Sequence, residues 1–115
     1  MKVIIAGSRS FSDYDFLREV CDKYLKELNR DIEIVSGTAN GADILGERYA
    51  KQKGFPIKKF PANWELGKKA GYLRNKEMAE YADGLIAFHD GTSRGTKHMI
   101  DLAKERNLKI RVINF

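Results

Sequence analysis

The sequence predicts an α/β protein: a Rossmann-like, three-layer α/β/α domain with a mainly parallel sheet of about five strands. Three observations predict it. Short apolar runs alternate with stretches of helical periodicity along all 115 residues. The order they give is β-α-β-α-β-α-β-α-β, and such alternation implies right-handed crossovers between parallel strands. Loops of very small residues follow the first, second and fourth apolar runs, and parallel strands would bring all three loops to one sheet edge.

Each element has its own justification. Residues 3–6, VIIA, read as a buried strand. Leu17, Val20, Cys21, Tyr24, Leu25 and Leu28 then recur at helical spacing, with Ser12 and Asp15 placed as a capping box at the start. Residues 32–35, IEIV, form the second strand. Ala42, Leu45, Tyr49 and Ala50 mark a second helix that Gly54 would stop. Residues 57–60, IKKF, make a short third strand ended by Pro61. A loop then turns into a helix over about 69–82, in which Ala70, Leu73, Met78 and Tyr81 look like core. Residues 84–88, GLIAF, are the fourth strand. Met99, Ile100 and Ala103 carry the fourth helix, and KIRVINF closes the sheet. There is no repeat, linker or low-complexity segment, so residues 1–115 read as a single nucleotide-binding-type domain.

Composition narrows the function. The one cysteine, Cys21, excludes an internal disulfide and agrees with a reducing cytosol. The opening KVIIAG is too short for a signal peptide or membrane span, which points to a cytoplasmic protein without a membrane partner. The formal charge of +5 favours anionic partners. The basic residues are dispersed, so nucleic acid is the second choice behind a small nucleotide.

The three loops carry the chemistry. A helix N-terminus offers free N–H groups and a partial positive charge, an anion site that needs no cationic side chain. DGTSRGT (Asp90, Gly91, Thr92, Ser93, Arg94, Gly95, Thr96) has that composition and opens the fourth helix; the N–H groups of Thr92, Ser93, Gly95 and Thr96 are candidates for holding a phosphate. The alternative is an ordinary turn with a serine cap. SGTANGAD (Ser36, Gly37, Thr38, Ala39, Asn40, Gly41, Ala42, Asp43) is a second cradle. Asn40 is placed to cap the helix with Asp43 at its third position, and Asp43 could instead bind a ribose hydroxyl. A carboxylate would repel phosphate, so Asp43 is not placed on the phosphate itself. In the first loop, Gly7, Ser8 and Arg9 lie on the strand edge, and Arg9 could pair with phosphate or stack on a base. On the third helix Arg74 and Asn75 are polar within an apolar stretch, and a partly inward arginine needs an anion.

Other chemistries are not supported. The chain has neither G-x-G-x-x-G nor G-x-x-x-x-G-K-[ST]. His89 and His98 lack partners at metal-ligand spacing, so no metal or cofactor is expected. Ser8 and Ser36 have no triad partners in the pattern. Trp64 either stacks on a base or anchors its loop. Trp64, Leu66 and Tyr72 offer more apolar surface than a small sheet edge needs, which predicts a homodimer or higher oligomer.

GSRSFSD, VSGTANGAD, PANWELGKKAGYLRNKEM and DGTSRGT, in that order, resemble the YspA/YpsA-related branch of the SLOG superfamily. The resemblance covers nearly the whole chain. It implies a Rossmann-like fold, a nucleotide-type pocket at these loops, and a role in sensing or processing nucleotide derivatives such as ADP-ribose-like molecules in bacteria or phages. The superfamily includes the LOG phosphoribohydrolases, which release a base from a nucleoside monophosphate, and the DNA-processing protein A group, which binds single-stranded DNA. TSRGT matches the LOG phosphate loop, and Arg74 matches the LOG arginine. The LOG catalytic glutamate falls at about His98, and a histidine cannot supply that carboxylate. The resemblance therefore implies binding without an identified catalytic residue.

Overall fold

The computed structural model describes residues 1–28 and 31–115, with the backbone alone for residues 27 and 28. The expected place of Leu28 on the first helix's apolar stripe lies outside the described side chains. The element order is β1 (Lys2–Gly7), α1 (Tyr14–Leu28), β2 (Glu33–Ser36), α2 (Ala42–Lys53), β3 (Ile57–Lys59), a 3-10 segment (Trp64–Lys69), α3 (Ala70–Tyr81), β4 (Gly84–His89), α4 (Arg94–Glu105) and β5 (Lys109–Asn114).

The five strands form one sheet in the order β3-β2-β1-β4-β5, and each neighbouring pair is parallel. Val3 is in register with Ile34 on one side and with Gly84 on the other. Strand order reverses between β1 and β4, and a crevice opens at their carboxyl ends.

Side chains on β1 alternate between two apolar layers. Val3 and Ile5 pack with Leu17, Cys21 and Leu25 of α1 and with Ala42 and Tyr49 of α2. Ile4 and Ala6 pack with Met78, Ala79 and Ala82 of α3 and with Met99, Ile100 and Ala103 of α4. Both faces of the central strands are thus covered, which is why their sequences are continuously apolar rather than alternating. Ile4, Ile5, Leu85 and Ile86 are fully buried, and each contributes about 1.5–3 kcal/mol through the apolar area it removes from water. Burial raises the Cys21 thiol to about 12, so it is an inert core group.

Several expected details differ. The start of α1 is capped by Asp13, whose Oδ1 accepts the Phe16 N–H at 3.1 Å; Ser12 contributes only its carbonyl, to Tyr14 N–H. Asn40 does not cap α2, which begins at Gly41 with no side-chain cap. The Gly54 stop is present, its N–H directed at the Ala50 and Lys51 carbonyls. Leu73 is exposed rather than core, because α3 buries the stripe through Ala70, Asn75, Met78 and Ala79. The loop before α3 contains the 3-10 segment, started by Asn63, whose Oδ1 accepts the Glu65 N–H. Among the described residues no helix is long and apolar enough to cross a membrane.

Candidate nucleotide site

Ser8 ties the three loops together. It is buried where β1 ends, and its N–H donates to the Phe88 carbonyl of β4 at 2.9 Å. Its Oγ accepts the Asp90 N–H at 3.2 Å, and its carbonyl accepts N–H groups from Phe11 and from Ala42 at the start of α2. This last approach requires Gly41. The residue has φ +80°, and a Cβ there would stand 2.4 Å from the Ser8 carbonyl oxygen.

The crevice so formed is a cleft of about 450 Å³. Ala6, Met78 and Met99 floor it; Gly7, Ser8, Arg9 and Ser10 line one side, Ala39 and Asp43 another. Arg74 and Asn75 arrive from α3, and Asp90, Ser93, Gly95 and Thr96 from the α4 end. An apolar floor with a few convergent polar groups is the usual make-up of a small-ligand site.

Arg74 is the best-positioned cation. Its Nη1 donates to the Gly37 carbonyl and its Nε to the Asn75 Oδ1. Asn75 is itself buried, and its Nδ2 donates to the Gly95 carbonyl and lies 3.3 Å from the His98 Nδ1. A chain of contacts therefore links α4, α3 and the β2 loop. Burial lowers the pKa of Arg74; Asp43 opposes that shift and the nearby Arg9 adds to it. Asp43 is buried against the same loop, its Oδ2 accepting the Ala39 N–H at 3.2 Å. Burial pushes the Asp43 carboxyl up to about 6, against the pull of that N–H and of Arg74.

The α4 end is arranged differently from its sequence expectation. Asp90 Oδ1 accepts the N–H groups of Thr92 and Ser93, each at 2.8 Å, and the Thr92 hydroxyl at 3.2 Å. These donors hold the Asp90 carboxyl below its usual range. Ser93 caps α4 by accepting the Thr96 N–H. Two of the four N–H groups assigned to phosphate thus serve an internal carboxylate, and a third serves the serine cap. The first-turn N–H groups of Arg94 and Gly95 have no internal acceptor among the described residues.

Gly91 and Thr92 are exposed and outside the lining of the cleft, and Ala42 is packed in the core below it. Ser36 is fully buried, because its hydroxyl donates to Glu47 Oε2 at 2.6 Å and accepts the Thr38 N–H. Glu47, buried on α2 and 3.4 Å from the Lys59 ammonium, was not expected. Its signal was available: it stands four residues after Asp43 on one helix face. Ser10 is the other addition, adjacent to Arg9 in a serine-rich loop.

His98 lies beside the site with its pKa lowered by burial, and its ring packs edge-on against Tyr72. Trp64 does not anchor its loop in the core; it is 61% exposed. Among the described residues no cluster of His, Cys, Asp or Glu is placed to hold a metal.

Residues 1–67 match the model of the YspA, cpYpsA-related SLOG family. The chain belongs to that family. The match takes in the β1 loop and the whole β2 loop, while Arg74, Asn75 and the α4 turn lie beyond it. This SLOG chain is 40% identical over 124 residues to the Gene 61 protein of Mycobacterium phage D29, across 99% of this chain and 95% of that one. Its fold matches that of DNA processing protein A from Streptococcus pneumoniae, with a TM-score of 0.76 at 22% identity. That match covers 96% of this chain and 49% of the other, so the SLOG chain spans about half the length of that structure.

Proposed function

We propose that this SLOG protein binds a nucleotide or nucleotide derivative in the β1–β4 cleft and acts as a binding or sensing module. The carrying observation is the convergence of Arg9 and Arg74 on one cleft with an apolar floor. Of the two carboxylates in the cleft, Asp90 is taken up by the Thr92 and Ser93 N–H groups and burial disfavours the Asp43 anion, so the two guanidiniums keep capacity for a phosphate. The Gly95 N–H at the start of α4 adds a neutral donor with the helix dipole behind it. Thermal shift with a mononucleotide panel tests the reading, together with native mass spectrometry of the freshly purified protein. A stabilised or co-purified nucleotide is expected; an empty protein that no nucleotide stabilises overturns it.

The exposed Leu66, Tyr72 and Leu73 on and before α3 favour self-association, and light scattering at several concentrations reads this out.

Two further readings have specific support. The +5 charge and the fold shared with DNA processing protein A favour single-stranded DNA binding. That reading requires steep loss of affinity with salt. An N-glycosidic hydrolase requires a carboxylate in the cleft, and Asp43 and Asp90 are the two there; Asp13 is spent on capping α1. Release of free base from a bound nucleotide would establish it.

A further inference from the structure

The cleft has a neighbour. A second cavity of about 310 Å³ is lined by Gly37, Thr38, Asn40, Ala62 and Trp64, and it shares Arg9, Ala39 and Arg74 with the first. Both volumes fall in the range of small-ligand sites, about 300–1,000 Å³. The two arginines therefore stand at a waist between two chambers. We propose that the ligand is of the dinucleoside diphosphate class, with one nucleoside in the first chamber, the diphosphate at Arg9 and Arg74, and the second ring stacked on Trp64. This rests on the nucleotide reading above and extends it.

The waist suits a linker carrying more than one charge. Arg74 spends Nε and Nη1 on neutral oxygens, those of Asn75 and Gly37, and Arg9 is exposed beside it. A diphosphate between two rings places its charges at this point and nowhere else in the ligand. Met78 and Met99, both 1% exposed, floor the first chamber, so a ring seated there packs on buried apolar surface.

Trp64 supplies the second ring's partner. It is the largest aromatic side chain and has no ring contact among the described residues. The 3-10 segment holds it on the rim, where Gly71 leaves its ring edge 4.0 Å from the position a Cβ would take. In the lining of the same cavity, Thr38 adopts φ +64°, a left-handed conformation that β-branched residues rarely take. The Thr38 N–H is fixed by Ser36 Oγ at 3.0 Å, so the wall of the second chamber is preformed.

Trp64 is the single tryptophan of the chain, so tryptophan emission, excited selectively over the tyrosines, reports on this chamber. The probes are AMP, diadenosine diphosphate and the tetranucleotide dA4, titrated against the wild type and Trp64→Leu, with calorimetry supplying affinities where the fluorophore is gone. Diadenosine diphosphate is expected to quench the tryptophan and to bind about tenfold or more tighter than AMP, the scale of one aromatic–base stack. Trp64→Leu is expected to bring the ratio of the two affinities close to one, with an unchanged melting temperature showing that it folds. AMP binding with no advantage for diadenosine diphosphate, and a ratio that Trp64→Leu does not move, overturns the two-chamber ligand and leaves the nucleotide reading standing. Binding of neither overturns both. Tighter binding of dA4 than of diadenosine diphosphate overturns the inference in favour of a single strand.

Discussion

Arg74 reaches from α3 to the carbonyl of Gly37, just past the end of β2, and the missing side chain at Gly37 leaves room for its guanidinium. A Cβ at that position would stand 3.0 Å from the Arg74 Nη1 and 2.8 Å from the Asp43 Oδ2. Gly37→Ala must therefore move a guanidinium and a buried carboxylate together. Overpacking of this kind typically costs about 1–3 kcal/mol. Denaturant melts are expected to show that loss, and calorimetry a parallel drop in AMP affinity as Arg74 leaves its place.

Asp43 gives the protein a specific pH signature. Its folded-state pKa, about 6, lies above the ordinary value of 3.8 because burial disfavours the charged form. The folded chain thus holds a proton that the unfolded chain has released, and stability falls as pH rises from about 4 to about 6. Above that window the penalty is constant, on the order of 3 kcal/mol. Asp43→Asn can keep the Ala39 N–H contact without the charge. Its stability is expected to match wild type near pH 4 and to exceed it by up to about 3 kcal/mol at pH 7.5. Equal stability of the two proteins at both pH values would show that Asp43 is not destabilised by burial.

The same carboxylate should tune ligand binding. A bound diphosphate disfavours the Asp43 anion further, so binding takes up protons and strengthens as pH falls through about 6. Diadenosine diphosphate suits the measurement because each of its phosphates, held by one ester and one anhydride bond, keeps a single strongly acidic hydroxyl that does not titrate there. Burial also lowers the pKa of His98 beside the cleft, and Asp43→Asn separates the two contributions: the slope that disappears in the variant belongs to Asp43.

The sheet and its helices were legible because parallel strands covered on both faces leave continuous apolar runs, such as VIIA and GLIAF, between helical stripes. The meeting of three loops followed from that topology without any side chain being placed. What was not legible depended on who holds which N–H. The N–H groups of Thr92 and Ser93 read as free phosphate donors, yet Asp90 two and three residues earlier takes both, a local competition that composition does not reveal. Ser36 read as a ligand contact, while its partner Glu47 looked like an ordinary surface residue of a helix. Leu73 looked like core because it fits an apolar spacing, but the stripe of α3 turns instead through Asn75, which Arg74 and His98 make worth burying.

Ser36 holds the loop together through Glu47 and the Thr38 N–H. Ser36→Ala removes the one hydroxyl among the described residues that answers the buried Glu47 Oε2, leaving the carboxylate to the Lys59 ammonium at the surface. A buried charged acceptor without its donor costs about 1–3 kcal/mol. The melting temperature is expected to fall, and a Ser36→Ala, Glu47→Gln double variant to recover part of the loss. A fall in AMP affinity with no change in stability would return Ser36 to the ligand.

Asp90 sets a limit on anion binding that Asp90→Asn should lift. Its carboxylate lines the cleft while accepting the N–H groups of Thr92 and Ser93, so it stands as an internal anion where a phosphate would otherwise be drawn. Those N–H groups hold its pKa down, so it stays charged through the physiological range. An amide oxygen at the same position still accepts from Thr92 and Ser93 and keeps the turn, but the negative charge is gone. Phosphate and diphosphate ligands are then expected to bind severalfold tighter, more so at low salt, where the repulsion is least screened. Asp90→Ala frees the N–H groups as well and is expected to tighten phosphate binding further at the expense of the turn. Weaker binding in Asp90→Asn with an intact melting transition would mean that Asp90 contacts the ligand itself, as an acceptor for a sugar hydroxyl or as the carboxylate of a hydrolytic site.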